Sequence, residues 1–280
     1  MTKQALLRSY FGHILSCSLN DNVHPDIIVI MKRDIEYIYE DEDILVCRKP
    51  AGIATEGAGV CEADLVSLLR NYLARKNRGS GSTKSPYIGT LYRLDKPVEG
   101  VVVVAKNKTA ASDIAKQIKN HSTEKYYYAV CYGSLPKTSG RLENYLVRRE
   151  DNGLSMTVSK DEADTLKDNS ITLLSGEKIR IIGGDVKKAV LDYNVVKRNP
   201  ETTLVEIKLL TGRFHQIRVQ FSALGFPLIG DDKYGSDASI AYSKENGIKT
   251  VNLACYKFGF KHPKTHKKMS FQITPTAFNI

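Results

Sequence analysis

Three short segments hold residues whose types and spacing could do chemistry. The first is R-L-D-K-P-V-E-G (residues 93–100), directly ahead of a run of four valines. Pro97 biases Lys96 toward extended backbone, so the Asp95 carboxylate belongs in a tight loop at the mouth of a buried strand. A rigid strand can hold such a group as a nucleophile or base. The same carboxylate could instead cap a turn or pair with Arg93. The second segment is T-G-R-F-H-Q-I-R-V-Q-F (residues 211–221). Thr211 can cap a helix there, with Ile217, Phe221 and Leu224 as its apolar face and Gly225 as its end. Arg213, His215, Gln216 and Arg218 in the first turns suit a phosphate, because free amides and the helix dipole both favour an anion. A solvated basic face would carry the same residues. The third is E-K-Y-Y-Y-A-V-C-Y-G (residues 124–133), where strand alternation sets Lys125, Tyr127 and Ala129 on one face and Tyr126, Tyr128 and Val130 on the other. Tyrosines so placed are core residues with satisfied hydroxyls, or rings that stack on an unpaired base.

Metal and cofactor signatures are missing from the sequence. His262 and His266 are four apart, but Pro263 and the lysines at 261, 264, 267 and 268 oppose both a helix and a cation. There is no G-x-x-x-x-G-K-[ST] loop and no dinucleotide fingerprint. Neither a metal nor a cofactor, nucleotide cofactors included, is expected, so the chemistry must run on side chains.

The elements that would position these groups can be read from periodicity. Residues 35–39 and 44–47 form two strands across an acidic turn. A helix over 64–74 carries Leu65, Leu68, Leu69 and Tyr72 on one face and runs into a flexible basic loop, 75–84. Residues 101–105 make a strand buried on both faces, followed by a helix over 109–119 and a strand over 126–132. The stretch 142–188 reads as polar and irregular around short apolar runs. Residues 191–196 and 204–210 pair as strands. Without regular βαβ alternation, this order predicts an α+β fold: a single catalytic domain, 35–280, on a mixed, mostly antiparallel sheet flanked by helices and loops. Ahead of it, Leu7, Tyr10, Phe11 and Ile14 predict an amphipathic helix within a 1–34 extension, and residues 27–31 a short strand.

The whole chain has 280 residues, 42% of them hydrophobic, and 41 Lys+Arg against 31 Asp+Glu for a net charge of +10. This is a globular composition, and disordered, collagenous and disulfide-scaffold chains are excluded. The basic balance favours a polyanionic partner, nucleic acid first. No apolar run reaches the length of a membrane helix, and no export signal is expected from the interrupted stretch near His13. Five scattered cysteines without C-x-x-C spacing point to a reducing, cytoplasmic compartment, with Cys47 and Cys131 as buried thiols.

Taken together, the segments resemble the RluA-type pseudouridine synthase family from about Ile35 to the C-terminus. The resemblance rests on I-Y-E-D-E-D-I-L-V-C-R-K-P-A-G (38–52), R-L-D-K-P-V-E-G-V-V-V-V-A-K (93–106), K-Y-Y-Y-A-V (125–130), L-L-T-G-R-F-H-Q-I-R-V-Q-F (209–221), L-G-F-P-L-I-G-D-D-K-Y-G (224–235) and F-K-H-P-K-T (260–265). It implies isomerisation of uridine in ribosomal or transfer RNA, with the pseudouridine synthase fold and a cleft across the sheet. By the resemblance Asp95 is the catalytic carboxylate, and three routes stay open: attack on the sugar, attack on the base, or abstraction of a sugar proton. Arg218 matches the arginine that pairs with it, and Tyr127 the tyrosine that stacks on the base and could act in the final deprotonation. The uridine must be flipped out or already unpaired. Arg93, Arg213, His215, Gln216 and Lys125 are expected to bind RNA, on one basic surface shared with loop 75–84 and the lysines near His262. A monomer is expected. Tyr92, Val98, Glu99 and Arg48 depart from the family pattern, which bears on substrate contacts. Two rival readings use the same residues: a catalytically silent RNA-binding protein or RNA chaperone, and, with little support, a glycosidase pairing Asp95 with Glu99.

Overall fold

The four valines at 101–104 are fully buried. They lie in β4 (Glu99–Ala105), every residue of which is buried. The strand pairs on one side with β2 (Ile44–Lys49), antiparallel, and on the other with β12 (Leu253–Lys261), parallel. Its outer neighbours are β1 (Glu36–Glu40), hairpinned to β2, and the two-residue β3 (Gly89–Thr90). The structure, a computed structural model, describes residues 35–59, 62–78, 85–276 and 278. The helix expected around Leu7 to Ile14 and the strand at 27–31 lie outside them.

Beyond β12 the sheet continues through β5 (Glu124–Tyr132), β11 (Thr202–Leu209), β10 (Lys187–Arg198), β6 (Ser139–Arg148) and β7 (Ser155–Val158), all antiparallel. A final strand, β13 (Lys268–Gln272), also pairs with β12. The result is an eleven-stranded mixed sheet, with β4 against β12 its parallel contact among the described residues. That contact is short, two residue pairs (Ala254 with Glu99, Cys255 with Gly100). It is close because residue 100 has no side chain: a Cβ there would lie 2.6 Å from Cys255 Cβ and 2.7 Å from its carbonyl oxygen.

Helices cover the sheet where the apolar stripe demands it. In α1 (Leu65–Arg78), Leu65, Val66, Leu69 and Leu73 are buried at helical spacing. The helix runs to Arg78, so Arg75, Lys76 and Arg78 of the expected flexible loop are helical, and residues 79–84 are outside the described set. In α2 (Lys108–Lys119), the Asn107 side chain caps the first turn by accepting from Ala110 N–H, and Ile114 packs with Val101, Val103, Ile44 and Phe258. No helix of the described residues is long and apolar enough to cross a membrane.

The stretch 142–188 is more ordered than its composition suggests. Leu142 to Arg148 belong to β6. After β7 come α3 (Lys160–Asp164), which carries a Ser159/Glu162 capping box, and the hairpin β8 (Ser170–Thr172) and β9 (Lys178–Arg180). Val147, Val158, Ile171, Ile179 and Ile181 form a small core of their own there. β7, β8 and β9, of three or four residues each, are too short for alternation to stand out in a polar background.

Candidate active site

Asp95 lies on the loop that feeds β4, and the loop is pinned from several sides. Thr55 Oγ1 donates to the Leu94 carbonyl at 2.9 Å and accepts the Leu94 N–H at 3.1 Å. Val98 N–H closes a turn on the Asp95 carbonyl at 2.9 Å. Behind the loop the fully buried Lys49 Nζ donates to the carbonyls of Ile53 (2.7 Å), Pro50 (3.1 Å) and Lys96 (3.3 Å). Burial pushes this ammonium down to about 7, against the upward pull of Asp95 and Glu99.

The carboxylate faces α4 (Gln216–Ala223), which is buried nearly all round: Gln216 through Phe221 are all interior. Arg218 Nε and Nη2 donate to the two oxygens of Asp231, each at 2.7 Å, and Nη1 reaches Asp95 Oδ2 at 3.2 Å. Asp231 is itself out of solvent, and its Oδ1 also takes the N–H groups of Lys233 (3.0 Å) and Tyr234 (3.1 Å). The guanidinium is thus forked onto one acid and presents its remaining corner to the other. Burial works against its charge, but the bonds to Asp231 and then the pull of Asp95 outweigh it and raise its pKa.

His215 borders the same oxygen, with Nε2 3.5 Å from Asp95 Oδ2. Ser155 N–H donates to Tyr234 Oη at 2.9 Å, and His215 Nδ1 lies 2.8 Å from the same hydroxyl, which ties the imidazole to Tyr234 on one side and to Asp95 on the other. Burial lowers His215 to about 4, ahead of the opposing pull of Asp95, so the ring is neutral at pH 7.

Across a cleft of about 990 Å³, β5 supplies Tyr127 and Lys125. Burial drives the Tyr127 phenol well above its ordinary range, with Cys255 adding to the effect, and keeps it protonated. Lys125 Nζ lies 5.3 Å from the centre of the Tyr92 ring, and burial lowers its pKa. Arg93 and Arg213 line the cleft as well. Arg93 pairs with Glu56 at 3.6 Å, so the alternative pairing with Asp95 does not occur. Arg213 Nε donates to the Lys188 carbonyl at 3.0 Å. Gln216 is at the cleft, but its amide is engaged: Oε1 accepts from Thr211 Oγ1 and Arg213 N–H, and Nε2 donates to the Val190 carbonyl.

Several local expectations need correction. The helix starts at Gln216, not Thr211, because His215 takes a left-handed backbone (φ 55°) and breaks the helical run. Thr211 therefore caps nothing and instead accepts the Val190 N–H at 2.8 Å. Leu224 of the expected apolar face is 39% exposed. The lysines at 261, 264, 267 and 268 do not line the cleft, Lys264 reaching toward Glu42, and neither do Arg75, Lys76 and Arg78. Arg218 is spent on two carboxylates. Two family departures explain each other: Arg48 Nη2 pairs with the buried Glu99, whose carboxylate also accepts from Thr276 Oγ1 at 2.8 Å. Asp41, Asp43 and His262 come together, yet Asp41 already accepts from Tyr39, His262 and two backbone amides, which leaves a structural hydrogen-bond cluster. Asp231, Tyr234 and Lys49 lay within quoted motifs, but no local spacing gave them a role.

Comparison with known proteins places this arrangement. The sequence model described as RNA pseudouridylate synthase matches residues 43–223. A protein of Aquifex aeolicus named as an uncharacterized RNA pseudouridine synthase is 32% identical over 244 residues, 85% of this chain and 69% of that protein. Ribosomal large subunit pseudouridine synthase D of Zymomonas mobilis is 31% identical over 240 residues, 85% of this chain and 68% of that protein. Among solved structures, human RNA pseudouridylate synthase domain containing 4 superposes with a TM-score of 0.65 at 20% identity, covering 86% of this chain and 89% of that one, a likeness of fold.

Proposed function

The chain belongs to the RNA pseudouridylate synthase family, and from that premise we propose that it isomerises uridine in ribosomal RNA with Asp95 as the catalytic carboxylate. The isomerisation breaks the bond from ribose C1′ to N1 of the base, turns the base, and joins C1′ to C5. The proton lost from C5 is balanced by one gained at N1, so composition does not change. Asp95 is the exposed end of a buried charge array: Asp231 fixes Arg218, and Arg218 orients Asp95 at the floor of the cleft. That geometry is the observation that carries the reading. It serves attack on the sugar, attack on the base and proton abstraction alike, since each needs a carboxylate with one oxygen held and the other free.

Tyr127 is a stacking surface for the uracil in this reading. Its protonated phenol suits that role and leaves the C5 proton to the carboxylate. Arg93 and Arg213, with the more deeply placed Lys125, are phosphate ligands of the cleft. The uridine enters unpaired or flipped, because Asp95 lines the cleft with its side chain three-quarters covered, out of reach of a base stacked in a duplex. The ribosomal target is drawn from the name of the Zymomonas mobilis relative. The test is chemical derivatisation mapping of pseudouridine in ribosomal and transfer RNA from cells with and without the gene, followed by rescue. Wild type should restore one or more ribosomal sites, and Asp95→Asn should lower the rate by at least about 10³-fold. An active Asp95→Asn enzyme overturns the residue assignment, and sites found in transfer RNA alone overturn the substrate.

A further inference from the structure

Two residues of the cleft wall, Arg148 and Phe214, have no part in the chemistry described above. Arg148 ends β6. The acids near it in sequence are taken, Asp151 by Arg149 at 2.6 Å and Glu150 by Arg180 at 2.8 Å, and among the described residues Arg148 has no acidic partner. Its position is nevertheless fixed, since Nε donates to the Gly153 carbonyl at 2.8 Å. The guanidinium is held over the Phe214 ring, 4.4 Å from its centre.

Phe214 is 41% exposed, unusual for a phenylalanine, and its backbone is fixed by Ser155 Oγ, which donates to its carbonyl at 2.8 Å. The ring stacks on His215 with centroids 3.7 Å apart and 21° between planes. His215 borders Asp95. Arg148, Phe214 and His215 thus form a continuous column of contacts from the exposed wall down to the carboxylate. A fixed guanidinium plane backed by an aromatic ring, without an acid to satisfy it, is a surface on which nucleobases stack.

We propose that Arg148 and Phe214 form a second nucleotide subsite, on which a base flanking the target uridine stacks. The proposal rests on the reading of Asp95 as the reacting centre. Recognition lies in the planar fork and its aromatic backing rather than in charge alone. Lysine at 148 keeps the charge and loses the plane.

The test measures binding, independent of turnover. A fluorescein-labelled RNA decamer with one uridine between two adenosines is titrated by anisotropy into the full-length protein and its Arg148→Lys, Arg148→Gln and Phe214→Leu variants. The titration is repeated with a decamer carrying abasic ribose on both sides of the uridine. Each variant should bind the intact decamer about tenfold more weakly than wild type. Wild type should lose about the same factor on the abasic decamer, where the variants lose little more. The proposal is overturned if Arg148→Lys binds the intact decamer as wild type does, which would make the site a phosphate contact. It is equally overturned if the variants' loss persists in full on the abasic strand, or if wild type does not discriminate the two strands. An inactive wild type or an active Asp95→Asn enzyme would sink the catalytic assignment without altering these binding outcomes.

Discussion

Arg218 carries one positive charge and faces two carboxylates, and the geometry divides it unequally. Asp231 receives two of its nitrogens at 2.7 Å, and Asp95 receives one at 3.2 Å. Asp231→Asn leaves a buried guanidinium short of an anion, which should cost on the order of 3–5 kcal/mol in urea unfolding. The guanidinium is then free to close on Asp95, so turnover should fall while RNA affinity holds. His215 gives a second expectation at this scale. Its pKa is near 4 folded, against 6.5 for the ordinary group, so between these values the unfolded chain binds more protons and stability falls as pH drops. The loss from pH 6.5 to 4 is on the order of 3 kcal/mol, and His215→Gln should flatten that part of a stability-versus-pH curve. That Arg218 reaches Asp95 and that Tyr127 lines the same cleft was legible only through the family resemblance, since each sits in one of its motifs. Asp231 and Tyr234 were not, since their roles depend on contacts from 13 and 19 residues away across a fold.

At the scale of elements, the buried strand of valines, the 109–119 helix and the tyrosine strand were readable because their apolar periods are long enough to register. The start of α4 was not. A left-handed residue at His215 is a backbone event that sequence flags only in glycine, and here it aims both the ring and the helix at Asp95. The parallel seam of β4 and β12 depends on a missing side chain. Gly100→Ala would drive a methyl into the backbone of Cys255, and the expected loss is about 3 kcal/mol or more by thermal or urea melting. Gly57→Ala, with open space around the added carbon but φ +72°, should cost only the smaller backbone strain.

For the whole molecule, a net charge of +10 said little about where RNA binds. The structure concentrates Arg93, Lys96, Lys119, Lys125, Arg148, Arg213 and Lys233 around one cleft, leaving the lysines at 261, 264, 267 and 268 elsewhere. Arg213→Gln should therefore weaken binding of single-stranded RNA and reduce the slope of log affinity against log salt by about 0.7, whereas Lys264→Gln should leave the slope unchanged. The order of strands in the sheet also has a consequence in time. β4, which follows Asp95, and β5, which carries Tyr127, are separated in the sheet by β12, which is synthesised more than 120 residues after β5 begins at Glu124. Until residue 261 has left the exit tunnel, the strand that spaces β4 from β5 is missing. A nascent chain that has not yet released residue 261 should hold Asp95, Tyr127 and Arg218 and yet be inert toward RNA, even toward the ribosome that is making it.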